Sequence, residues 1–356
     1  MKHILLCLAL CLLLTAPAHA ADLPDALRRA VPPEAADLLR EAEEGDWTGG
    51  VSALLQGGRR AVGQIVRERL QNIVLILLVV LLCGVVDGFF AGADAKTVTN
   101  YTSMAGALSI TLLSAGSMES LIGLGAQTME SLSFFSKALL PTLAAATAAS
   151  GGVGRAAVLQ VLTVFFVDLL LSLVTGLLLP LLYLYIGALT AGVLLPGNVL
   201  EGVAEGIKKI ITWLLTGALL CFTAYLTFSN VIAGATDGMA VKATKLALST
   251  AVPVVGSILS EASATVLAGA GLLKNTIGVF GMLAVLATCL LPFLQLGIQY
   301  LLYKLAALAS STVGAPQLVK LLSGLGGAFG LVLGMTGACA LLVTISILSS
   351  VAAVTP

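Results

Sequence analysis

From Gln71 onward, long apolar runs are separated by short polar breaks, and the pattern predicts membrane-crossing helices rather than strands. The runs fall at about 71–90, 103–125, 156–178, 180–196, 210–233, 277–303 and 328–354. Each is long enough, or nearly so, to cross a ~30 Å hydrocarbon layer at ~1.5 Å per residue. Two further segments are ambiguous: 134–150 (FFSKALLPTLAAATAAS), short and holding Pro141, and 246–273. Each could cross, dip in and return, or lie along the interface. The expected fold class is all-α: a polytopic membrane protein of about 7–9 spans with one or two re-entrant or kinked segments.

Before residue 71 the pattern changes twice. Residues 1–20 carry Lys2, an apolar run from Ile4 to Leu14 and Ala18-His19-Ala20, which predicts a signal peptide cleaved after Ala20. Residues 21–70 form an extracytoplasmic polar region of short helices, broken at Pro32-Pro33 and at Gly45, Gly49 and Gly50. Val51 to Leu70 is amphipathic and either lies on the membrane surface or presents an ordinary solvated face. The polytopic domain then occupies 71–356.

Composition sharpens the membrane reading. The chain of 356 residues is 58% hydrophobic and 10% charged, with a mean hydropathy of +1.06; soluble domains carry about 25% charge. The net charge of zero gives no basic surplus for nucleic acid. A cleaved signal would leave residue 71 outside and Lys96 in the cytoplasm. If 134–150 crosses, Lys208-Lys209 and Arg155 also become cytoplasmic, as basic residues prefer; if not, that lysine pair lands outside. The first alternative is favoured, giving eight or nine spans.

A hydrophilic seam marks the stretch from Asp237 to Gly281. Lys242, Lys245, Ser249, Pro253, Gly256, Ser260 and Ser263 recur at helical spacing, with valines, leucines and Ile258 on the other faces. Pro253 predicts a kink. The seam either lets a neighbouring helix pack closely or, with Glu261, Lys274 and Asn275, lines or gates a polar path. In the last span Gly326, Gly330, Gly334 and Ala338 recur every four residues, a face suited to close helix packing.

Asp87, Glu119 and Asp168 lie in or beside apolar spans. Asp168, flanked by FFV and LLL, is either part of an ion relay or the structural partner of a lysine such as Lys242 or Lys245. The two others read as end residues or structural partners. The six cysteines have no metal-ligand spacing and read as inert buried thiols. Both histidines, His3 and His19, fall in the signal segment, so a mature chain has none for a Ser-His-Asp triad or a histidine metal site. No Walker loop is present. The sequence points to no enzyme and no cofactor.

The stretch VKATKLALSTAVPVVGSILSEASATVLAGAGLLKNTIGVFG resembles the stage III sporulation protein AE family of endospore formers, and FFSKALLPTLAAATAASGG resembles that family's other recognisable block. The resemblance implies a role after engulfment, within an eight-protein membrane assembly made in the mother cell. It further implies partners: the other stage III membrane proteins, one of them like a secretion ATPase, and a forespore membrane protein across the intermembrane space. Together these would form a channel sustaining late gene expression in the forespore, this chain being its polytopic core, with homo-oligomers a further possibility. Two alternatives stand beside that expectation: an ion-gradient-driven solute permease using Asp168, and a scaffold that conducts nothing.

Overall fold

The computed structural model describes residues 47–90, 95–149, 153–194, 200–225, 256–313 and 316–351. The signal segment, most of the polar region and the seam from Lys242 to Pro253 lie outside these described residues. The described chain is helical throughout: α1 Trp47–Phe89, α2 Ala95–Ala149, α3 Val153–Leu173, α4 Leu179–Leu194, α5 Leu200–Tyr225, α6 Gly256–Ser311 and α7 Pro316–Val351. A single π-helical turn, Val174–Leu178, joins α3 to α4 in one rod. Counting that rod once, six helices among the described residues are long and apolar enough to cross a membrane.

The expected segments do not map one to one onto these helices. Segments 103–125 and 134–150 are both parts of α2, which runs unbroken for 55 residues, through Pro141. At ~1.5 Å per residue it is roughly 80 Å long and cannot turn back within the bilayer. Segments 156–178 and 180–196 are likewise parts of one rod. Pro180 lacks the N–H that an α-helix would aim at the carbonyl of Gly176, and its ring crowds that carbonyl. The π turn just before it takes up the misfit: Leu179 donates to the carbonyl of Val174, five residues back.

Neighbouring helices lock in antiparallel register. Asn72 of α1 donates to Ser117 of α2 (3.3 Å), while nearer the hairpin Cys83 lies against Gly106. The hydroxyls of Thr111 and Thr190 meet at 3.3 Å between α2 and α4. Tyr303 of α6 donates to Ser114 of α2 at 2.8 Å, and further along the same pair Gly281 faces Leu139. Many of the buried serine and threonine hydroxyls bond the carbonyl four residues back, as Ser114 does to Ile110 and Thr336 to Val332. That keeps them satisfied without water.

α6 and α7 are the most buried helices and α5 the least. Their core includes Leu296, Tyr303, Phe329, Val332 and Met335. The outer surface is apolar over much of its extent: Val74, Leu82, Phe165, Leu184, Trp213, Leu220 and Leu308 all stand exposed. Such a belt suits hydrocarbon rather than water. Cys221 of α5 belongs to this belt, whereas Cys83, Cys289 and Cys339 are buried thiols.

Candidate functional site: a polar face on α1 and α2

Two adjacent helices depart from the apolar belt. On α2, Gly116, Glu119, Ser120, Gly123, Gln127, Glu130 and Lys137 are exposed and recur every three or four residues, so they share one outward face. On α1, Arg59, Gly63, Gln64, Arg67, Glu68 and Gln71 do the same, with Gln64 donating to Glu68 at 3.0 Å. The opposite face of this stretch, including Gly58 and Ile65, is buried, with Gly58 against Leu290 and Leu294 of α6. A Cβ added to Gly63, Gly116 or Gly123 would meet nothing within 4 Å.

The depth of this face gives it meaning. The Asn72–Ser117 bond sets Gln64 and Glu68 alongside the part of α2 around Gly125. Gly125 in turn lies against Val332 and Leu296. At that level α6 and α7 carry no charge: Ile277 to Tyr303 and Leu321 to Val351 hold no aspartate, glutamate, lysine, arginine or histidine. Glu119, Glu130, Arg67 and Glu68 therefore sit at the depth of the apolar spans but outside their packing.

Lys137 and Asp168 bound the far end of the α2 face. They pair at 2.7 Å, each about half exposed. Asp168 thus has a lysine partner from α2, while Lys242 and Lys245 lie outside the described residues. The opposite end of the bundle holds a second group of charges. Lys320 pairs with Glu201 at 2.8 Å. Lys304 donates to the carbonyl and hydroxyl of Ser323 (3.1 and 2.8 Å) and stands 5.9 Å from the centre of the Tyr300 ring. Tyr185, 3% exposed, donates to the carbonyl of Gly324 at 3.0 Å.

The glycine face of α7 lies within the chain. Gly326 faces the backbone of Tyr300 and the Cβ of Tyr303, Gly330 faces the Tyr300 ring, and Gly334 faces Leu215. Ala338 is buried. Of the other residues singled out from the sequence, Lys242, Lys245, Ser249 and Pro253 lie outside the described residues. Gly256, Ser260, Glu261, Lys274 and Asn275 are on the first turns of α6, where only the backbone is described. Val351, the last residue of α7, packs at Gly278, so those turns run on beyond the end of α7. Among the described residues no group of acidic, cysteine or histidine side chains could hold a metal ion.

The family model for Stage III sporulation protein AE matches residues 34–354. The chain belongs to that family. A curated relative, the Stage III sporulation protein AE of Bacillus subtilis (strain 168), is 22% identical over 247 residues. The match covers 69% of this chain and 62% of the relative, so this chain spans less than two thirds of that protein's length. No solved structure matches the chain. Membership assigns this helical, membrane-type chain to sporulation. The family match takes in the polar face of α2 as well as the seam. Sequence reasoning passed over that face because Glu119 and Glu130 were weighed singly or not at all. The signal was the repeat of glycine, serine, glutamine and glutamate at helical spacing from Gly116 to Glu130.

Proposed function

We propose that this sporulation protein is a membrane-embedded subunit of the channel joining mother cell and forespore. In this reading it resides in the mother-cell membrane and turns the polar face of α1 and α2 towards the shared path. The observation that carries the reading is the exposure of Glu119 and Glu130, with Arg67 and Glu68 beside them, at the depth of uncharged spans. A charge set in hydrocarbon costs ~2.5–3.5 kcal/mol on insertion scales. A face with several of them calls for water or for partner protein, and a channel assembly supplies both. The seam from Lys242 to Ser260, with Glu261, Lys274 and Asn275, would add to the same path or gate it.

This role needs no catalysis by the chain; energy would come from a partner of the secretion-ATPase kind, and a forespore membrane protein would meet the assembly across the intermembrane space. Sidedness follows the lysines. Lys208, Lys209, Lys304 and Lys320 gather at one end of the bundle, which would be cytoplasmic. Tyr225 and Ile277 are both near the other end, level with Phe166 and Ile347.

Single cysteines at positions 119, 127 and 130, labelled in sporulating cells with a membrane-impermeant thiol reagent, test the reading. Labelling in the assembled complex, and loss of late forespore gene expression in Glu119→Leu/Glu130→Leu, are expected. Unlabelled positions together with normal spores at normal protein level would overturn it.

A further inference from the structure

We infer that the lysine end of the bundle holds a binding site for a phosphate-bearing headgroup, built by Lys208 of α5 and Lys304 of α6 on the glycine-rich turn Ser323–Gly327 of α7. Ser323 and Gly327 are one helical turn apart and share a face. Lys304 is anchored on the first by its two bonds to Ser323. The ammonium of Lys208 comes within 3.8 Å, and the hydroxyl of Tyr185 within 3.1 Å, of where a Cβ on Gly327 would stand. Two ammonium groups and a phenol thus converge on one turn of α7, Lys304 at Ser323 and the other two at Gly327, which has no side chain. Gly324, on the same turn, accepts from Tyr185.

Among the described residues neither lysine is in an ion pair; the pairs described are Lys137–Asp168 and Lys320–Glu201. Of the acids described at this end, Glu201 is held by Lys320, Glu205 is exposed and within electrostatic range of Tyr185, and Asp87 stands apart on α1 near the turn where Gly84 meets Val313. Lys208 and Lys304 are also within electrostatic range of each other, so their charges repel. Each ammonium has three donors and no acceptor. A phosphate oxygen between them would relieve the repulsion and take up free donors; Lys208 is exposed and Lys304 partly so, which leaves both ammonium groups open to the surface. The position favours a lipid: a basic recess between helices at the end of an apolar span is where an anionic headgroup lies while its acyl chains stay in the bilayer. Exposed Ile210, Trp213, Leu301 and Leu305 flank the site with apolar surface for those chains. This inference is independent of any conducting path along α1 and α2.

The test is thermal unfolding of the full-length protein in neutral detergent with added phosphatidylglycerol, phosphatidylcholine or inorganic phosphate. The wild type should gain several degrees with phosphatidylglycerol and little with phosphatidylcholine. Lys208→Gln/Lys304→Gln should lose at least half of that gain, and Lys208→Arg/Lys304→Arg should keep it. Lys209→Gln, which removes a neighbouring charge outside the site, should behave as wild type. A matching gain from inorganic phosphate alone would keep the site and make its occupant a soluble phosphate. Should the double glutamine variant unfold during purification, the two single variants binding phosphatidylglycerol in native mass spectrometry as well as wild type would overturn the proposal. So would an equal gain with both lipids, or a gain undiminished in the double variant.

Discussion

Lys137 and Asp168 tie α2 to α3 through a 2.7 Å ion pair on the outer surface of the bundle, and each remains about half exposed. Removing one charge leaves the other beside Phe134 and Leu169, two exposed apolar neighbours. Lys137→Met and Asp168→Asn should each destabilise the protein by up to about 2.5 kcal/mol where hydrocarbon surrounds the orphan. The exchange Lys137→Asp/Asp168→Lys should recover much of it. Unfolding of the four proteins in lipid nanodiscs measures this, and a swap no better than the single changes would show that geometry rather than charge holds the contact.

Two glycines of α7, one turn apart, should respond differently to the same substitution. A Cβ at position 330 would stand 3.1 Å from the Tyr300 ring, whereas one at 334 would meet Leu215 at an ordinary 3.7 Å. Gly334→Ala should be neutral or gain up to about 1 kcal/mol from helix propensity. Gly330→Ala should instead lose roughly 1 kcal/mol, because the Tyr300 ring must give way to the new methyl. Melting temperatures of the two variants decide the point.

Gln299 is fully buried on α6, one turn before Tyr303; neither of its amide atoms is in good hydrogen-bond geometry with a described group, although the Tyr303 hydroxyl lies close enough to interact. Tyr303 by contrast donates to Ser114. Gln299→Leu should therefore be neutral or stabilise by about 1–2 kcal/mol, since it removes a desolvated amide. Tyr303→Phe should cost about 1 kcal/mol, because Ser114 keeps its bond to Ile110. A large loss in Gln299→Leu would mean that the amide is held by the Tyr303 hydroxyl or by a group outside the described residues.

The polar face predicts a separation of stability from function. Glu119 and Glu130 touch no ion-pair partner among the described residues, so Glu119→Gln/Glu130→Gln should melt within about 0.5 kcal/mol of wild type. Spore yield should nevertheless fall at least tenfold if that face is used in the assembly. Counting heat-resistant spores at matched protein level checks both halves.

How much of this was legible beforehand varies with the physics of each element. The apolar runs declared an all-helical membrane-type chain, because no other structure can hide its backbone over such lengths. The divisions between runs were harder. The polar interval 126–133 looked like a break, yet Thr128 bonds the carbonyl of Leu124 and the helix continues. Pro180 looked like an end and is instead taken up by the wider turn before it. Two misplaced breaks, one in α2 and one between α3 and α4, cancel in the count of reversals. That is why Lys96 and Lys208-Lys209 still fall at the same end, whereas Arg155, expected with them, opens α3 at the opposite end. Asp168 read either as part of an ion relay or as a lysine's partner; that it meets Lys137 depends on the pairing of α2 with α3, a contact no local pattern encodes.

The π turn at Val174–Leu178 carries a consequence for the whole rod. One inserted step of a helix rotates everything beyond it by about 100°. On one side of the turn Asp168 reaches Lys137; on the other Tyr185 reaches Gly324. Deleting one residue here would leave the first contact in phase and swing the tyrosine away from α7. The turn is thus a phase joint, matching two ends of one rod to two different neighbours.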